Sequence, residues 1–77
     1  MRVFTQKESA EILQHGTKSL KKANPVWLFQ QREEFQVETN EGVLNGKAGD
    51  YVAHDPLSGH VWPVSQEYVA MHYEPVP

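Results

Sequence analysis

Gly46-Lys47-Ala48-Gly49-Asp50-Tyr51-Val52-Ala53-His54 reads as a tight turn that feeds straight into a strand. Lys47 and Ala48 enter the turn, and Gly49 supplies backbone freedom, including positive φ at little steric cost. The Asp50 carboxylate is suited to accept hydrogen bonds from turn amides. Strand candidates lie on both sides, so this corner is expected to decide how the sheet folds back on itself. Gly49 and Asp50 are therefore read as a structural turn. The competing reading places Asp50 in a binding or catalytic site.

Upstream of the corner, Phe35-Gln36-Val37-Glu38-Thr39 alternates apolar and polar residues, the pattern of a half-exposed strand. Asn40-Glu41-Gly42 is a hairpin loop and Val43-Leu44-Asn45 its short return strand. Val26 to Gln31 is apolar, aromatic and β-branched, which predicts a buried strand, joined to the next by the charged stretch at residues 31–34. Residues 17–24 are polar and basic and read as a helical turn or a plain connection, closed by Asn24-Pro25. Before them, Thr5 with Glu8 three residues on predicts a capped helix through Ala10 and Leu13, with His15 in its last turn and Gly16 as a left-handed cap. Residues 1–5 are a short strand or a loose arm.

Downstream, residues 55–59 form a turn-rich loop and residues 60–64 a strand. Pro63 cannot donate to a ladder, so that strand is expected at an edge or a bulge. Ser65 caps a helical turn that reaches Tyr68. A final strand over residues 69–74 and a tail at 75–77 complete the chain. The expectation is a single α+β domain over residues 1–77. It has one N-terminal helix and a small, strongly curved, mostly antiparallel sheet of about five strands, with a partly open barrel as a variant. The expected core is Leu13, Val26, Leu28, Phe35, Val37, Leu44, Val52, Trp62 and Tyr68.

Composition narrows the function classes. Seventy-seven residues with 39% hydrophobic and 22% charged content suit one small globule. The absence of cysteine removes disulfides, thiolate metal sites and cysteine nucleophiles. Stability must then come from packing or from association, and a homodimer is a side expectation. A net charge of −3 argues against a general nucleic-acid binder, leaving only the lysines at 7, 18, 21 and 22 as a local basic cluster. No apolar run reaches membrane-spanning length. Residues 1–5 lack the apolar core of a secretory signal, so the cytoplasm is the expected location.

Several of these segments combine into a recognisable order. Phe35 to Thr39, Glu41-Gly42, Lys47-Ala48-Gly49-Asp50-Tyr51, Gly59, Trp62-Pro63-Val64, Tyr68 and Tyr73-Glu74 together resemble the small bacterial and phage proteins named for a Pro-Gly-Asp-Tyr-Gly (PGDYG) signature. The resemblance covers residues 35–74 and does not extend over the helix before Pro25. Ala48 stands where the signature has proline, and Val52 where it has glycine. The resemblance implies a compact β-rich domain and a phage or prophage setting. It carries over no catalytic residue.

Chemistry-bearing residues are few. His54, Asp55, His60 and His72 are the best candidates for a metal set, but their spacing matches no familiar motif. Ser58, Asp55 and His60 crowd one short loop, where turn preference explains them better than nucleophilic catalysis. The surplus of aromatics points instead to a contact surface. Trp27, Phe29, Tyr51 and Tyr73 are the expected binding residues. These features predict a non-enzymatic protein-interaction module with an unidentified protein partner and no cofactor, for instance a phage accessory or host-interacting protein. The alternative is a small-ligand or metal-binding domain with its site near Asp50, His54 and His60.

Overall fold

The computed structural model describes residues 1–21 and 24–75. Lys22 and Ala23 of the basic segment, and Val76 and Pro77 of the tail, lie outside the described residues. In chain order the elements are β1 (Arg2–Phe4), α1 (Ser9–His15), β2 (Thr17–Lys21), β3 (Asn24–Gln30), β4 (Phe35–Thr39), β5 (Gly42–Gly46), β6 (Tyr51–His54), β7 (Val61–Val64), α2 (Gln66–His72) and β8 (Glu74–Pro75). They form a three-stranded sheet, β1-β4-β5, and a five-stranded sheet, β7-β6-β3-β2-β8. The fold is α+β, as expected, but the described residues form two helices and two sheets in place of one of each. Among the described residues no closed barrel forms.

The two sheets share one hairpin. Trp27 pairs with His54 and Gln30 with Tyr51 in one ladder, while Phe35 pairs with Gly46 and Thr39 with Gly42 in the other. Partner numbers have the same sum in both ladders, so β3 to β6 is a single antiparallel hairpin in continuous register. It is bent where residues 31–34 lie opposite residues 47–50. Its distal half, β4–β5, folds away from β3–β6 and is joined by the parallel strand β1, in register Arg2 to Phe35 and Phe4 to Val37. The expected strong curvature is therefore concentrated in one fold of a long hairpin.

Strand alternation gives the five-stranded sheet two apolar faces. Trp27, Phe29, Val52 and Val61 face the three-stranded sheet, where Phe4, Phe35 and Val37 meet them and Ile12 of α1 closes the layer. Phe4 is the centre of that packing, edge-on to both Phe29 (6.3 Å, 87°) and Phe35 (6.0 Å, 86°). Val26, Leu28 and Ala53 face the other way, against Tyr73 and Val69. β1 is held to α1 by the Arg2–Glu11 ion pair. The shared hydrogen bond raises the guanidinium pKa of Arg2 and lowers the carboxyl pKa of Glu11. The Arg2 guanidinium also lies 4.2 Å over the Phe4 ring.

Several local expectations change. The helix starts at Ser9, because Thr5 instead opens a turn, its carbonyl accepting from Glu8 N–H at 3.2 Å. Ile12 is the buried residue of α1, whereas Leu13 is 39% exposed. Gly16 is extended, with φ −83° and ψ 166°, and leads directly into β2. Residues 17–21 form a strand because β3 supplies ladder partners on one side and β8 on the other. Residues 66–72 are helical, not a final strand: Ser65 Oγ accepts from Tyr68 N–H, and Tyr73 N–H donates to Val69 at 3.0 Å. Leu44 and Tyr68 are exposed, and Trp62 is half-buried, while Phe4, Val61 and Tyr73 join the core.

Pro63 lies on β7, an edge strand, as its missing N–H requires. The same edge is closed by Gln6. Its amide accepts from Val61 N–H (2.8 Å) and donates to the Val61 and Glu38 carbonyls (2.9 and 2.8 Å). One side chain thus ties β7 of one sheet to β4 of the other. No helix among the described residues is long and apolar enough to cross a membrane.

Gly46 faces Phe35 across the ladder, and a Cβ there would enter the Phe35 ring. Gly46→Ala is expected to cost about 1–3 kcal/mol, the usual range for overpacking. In a Phe35→Leu background the cost should shrink, because the ring that blocks the new methyl is gone. Urea unfolding of the four proteins measures both effects.

Candidate functional site

The bend opposite residues 31–34 is held by a set of linked backbone and side-chain hydrogen bonds. Gly49 has φ +95°, which L side chains rarely adopt, and its N–H donates to Gln31 at 2.8 Å. Gln31 N–H in turn donates to the Asp50 carbonyl at 2.9 Å, so the two crossing connections bond to each other. The Gln30 side chain adds a bond to the Gly49 carbonyl at 2.9 Å. Asp50 is only 9% exposed. Its Oδ2 accepts from Lys47 N–H (3.1 Å) and its Oδ1 from Gln66 N–H (3.2 Å). One oxygen closes the turn, and the other fixes the first residue of α2. Gly49 and Asp50 thus form a structural turn, and the carboxylate is committed to backbone amides.

His54 lies at the opposite end of β6 from Asp50, roughly four strand residues or about 13 Å away at ordinary strand rise. It is 4% exposed, on the face shared with its cross-strand partners Trp27 and Val61. Its Nδ1 lies 3.1 Å from the His60 carbonyl. A carbonyl only accepts, so Nδ1 carries the proton and donates. The His60 carbonyl also accepts from Asp55 N–H at 3.1 Å. The loop is folded on its own side chains: Asp55 Oδ1 accepts from Leu57 N–H, and Ser58 Oγ accepts from His60 N–H. The Ser58, Asp55 and His60 trio is therefore turn chemistry. His72 sits on α2, stacked on Tyr68 with ring centres 4.3 Å apart. Asp50, His54 and His60 do not come together. Among the described residues no three His, Cys, Asp or Glu side chains are placed to hold a metal ion.

The expected aromatic surface is also redistributed. Trp27 and Phe29 are half-buried against the core between the sheets, with Phe29 beside His15 at 5.8 Å. Tyr51 is half-buried in the second cluster, and Tyr73, at 7% exposure, is part of its core. Trp27, Phe29 and Tyr51 are thus partly exposed, and Tyr73, though buried, lines the depression between β7 and α2.

An aromatic face that includes Tyr73 forms where β7 meets α2. Trp62, Pro63, Val64, Ser65, Tyr68 and Tyr73 line an open depression of about 310 Å³. Tyr68 and Tyr73 are edge-on at 6.0 Å. Met71, one helical turn from Tyr68, is 78% exposed. The helical spacing of Tyr68 and Met71 after the Ser65 cap was the available sequence signal, and reading residues 69–74 as a strand concealed it. No family model, no curated protein and no solved structure matches this chain.

Asp50→Ala leaves two partly buried amides without their acceptor. It is expected to cost about 1–3 kcal/mol, or about 4–8 °C in Tm per kcal/mol at this size. Asp50→Asn retains one acceptor oxygen and should lose less. Thermal unfolding of the two variants beside wild type measures the difference.

Proposed function

We propose that this chain is a small, non-enzymatic protein-interaction module whose contact surface is the β7–α2 face. The single observation that carries the reading is the open depression lined by half-buried Trp62 and exposed Tyr68, with Met71 exposed one helical turn from Tyr68. Tryptophan and tyrosine dominate the energetics of protein interfaces, and exposed methionine adapts to a partner's shape. The polar groups with catalytic potential support the same reading from the other side. Asp50, Asp55 and Ser58 accept backbone N–H groups, and His54 donates to a backbone carbonyl. Each of these bonds maintains a turn or the start of α2. The partner is a protein with an apolar projection that fills the depression. The resemblance to PGDYG proteins supplies the accessory or host-interacting phage setting of this proposal, and with it a cytoplasmic location.

Affinity capture from a bacterial lysate, read by mass spectrometry, tests the surface. Met71→Glu and Tyr68→Ala should each deplete the captured partner by about tenfold or more, while Gln36→Ala on the outer face of the three-stranded sheet leaves it unchanged. Equal capture by all three variants, or no partner with wild type, overturns the reading. Wild-type circular dichroism for each variant separates lost binding from lost folding.

A further inference from the structure

The edges of the two sheets are treated differently. On β7 the Val61 N–H and carbonyl are occupied by Gln6, and Pro63 offers no N–H. β8 is two residues long. β1 is three residues long and is tied to α1 by the Arg2–Glu11 pair. β5 carries none of these protections. It is five residues long, contains neither proline nor a charged residue, and among the described residues pairs only with β4. Val43 and Leu44 on it are 52% and 45% exposed. Natural proteins usually blunt such an edge, because its unpaired backbone groups are a template for another strand.

The charges just outside β5 indicate which strand fits. Glu41 precedes it and Lys47 follows it, both exposed. The one ion pair among the described residues is Arg2–Glu11, so among them neither of these charges is paired. We propose that β5 is a homodimer edge, pairing antiparallel with the β5 of a second copy about a two-fold axis through Leu44. In that register each Gly42 lies opposite the other copy's Gly46, Val43 opposite Asn45, and Leu44 opposite itself. Each Glu41 then meets a Lys47 of the other copy, twice per dimer. A parallel arrangement would set like charges side by side. The two Leu44 side chains share one face at the axis, covering apolar surface that each copy exposes alone. The two three-stranded sheets become one sheet of six strands. This interface is isologous, so it closes at two copies and leaves the β7–α2 faces free.

Sedimentation velocity on the full chain across a wide dilution series tests the proposal. Wild type should show a monomer–dimer equilibrium. Leu44→Lys places two like charges at the axis, and Glu41→Lys sets it against Lys47 of the other copy. Each should raise the dissociation constant about tenfold or more. The double variant Glu41→Lys/Lys47→Glu restores opposite charges and should return it to within about threefold of wild type. Amide hydrogen exchange adds a local readout, with β5 amides becoming more protected as concentration rises. The proposal is overturned by a wild type that stays monomeric at its highest soluble concentration. A dimer unchanged by Leu44→Lys and Glu41→Lys, or lost in Met71→Glu instead, also overturns it. Leu44 and Glu41 are exposed, and unchanged circular dichroism establishes that each variant is folded.

Discussion

The fold depends on one buried carboxylate. Asp50 sits where a long hairpin bends, and its two oxygens reach backbone amides in different elements. Lys47 N–H belongs to the turn itself, and Gln66 N–H begins the helix on the far side of the five-stranded sheet. Around it, Gln31 bonds to both Gly49 and Asp50 across the two crossing connections. A bend in a two-stranded ribbon interrupts its ladder and strands polar groups that burial would penalise. Here those groups find partners within the bend. The hairpin can therefore fold over while its register continues through both halves.

Folding the hairpin creates the core. Once β4–β5 turns away from β3–β6, the Phe35 and Val37 face meets Phe29, Val52 and Val61, and Phe4 and Ile12 fill the space between them. The other face of β3 and β6 is left apolar by the same alternation, and α2 with Tyr73 covers it. The central sheet is thus buried on both sides. That explains why the aromatics of β3 and β6 pack inward. It also leaves the apolar surface at the periphery, on α2 and along β5.

Elements whose signal is local were legible. The Lys47–Asp50 turn, the Phe35–Thr39 alternation, the Ser65 cap and the edge position of Pro63 each follow from the chemistry of a few neighbouring residues. Elements that depend on a distant partner were not. Residues 17–21 are too polar to announce a strand and become one because β3 and β8 flank them. Residues 69–72 carry a β-like composition, but helical hydrogen bonds from the Ser65 start extend through Tyr73. Gly16 was expected to cap α1 in a left-handed conformation, yet it is extended because the chain continues straight into a paired strand. Trp27, Phe29 and Tyr51 are only partly exposed because both faces of the sheet that carries them are covered.

By itself, the sequence determined the turn chemistry, the strand periodicity, the α+β class and the reliance on packing in a chain without cysteine. The tertiary structure decided that the hairpin bends at Asp50, that the strands divide into two sheets, and that the aromatic surface lies on β7 and α2. The division follows from the range of the forces. Backbone torsions and caps act over a few residues and are written locally. Burial is settled only when residues far apart in the chain meet, and a strand with two apolar faces does not specify which layer will cover each.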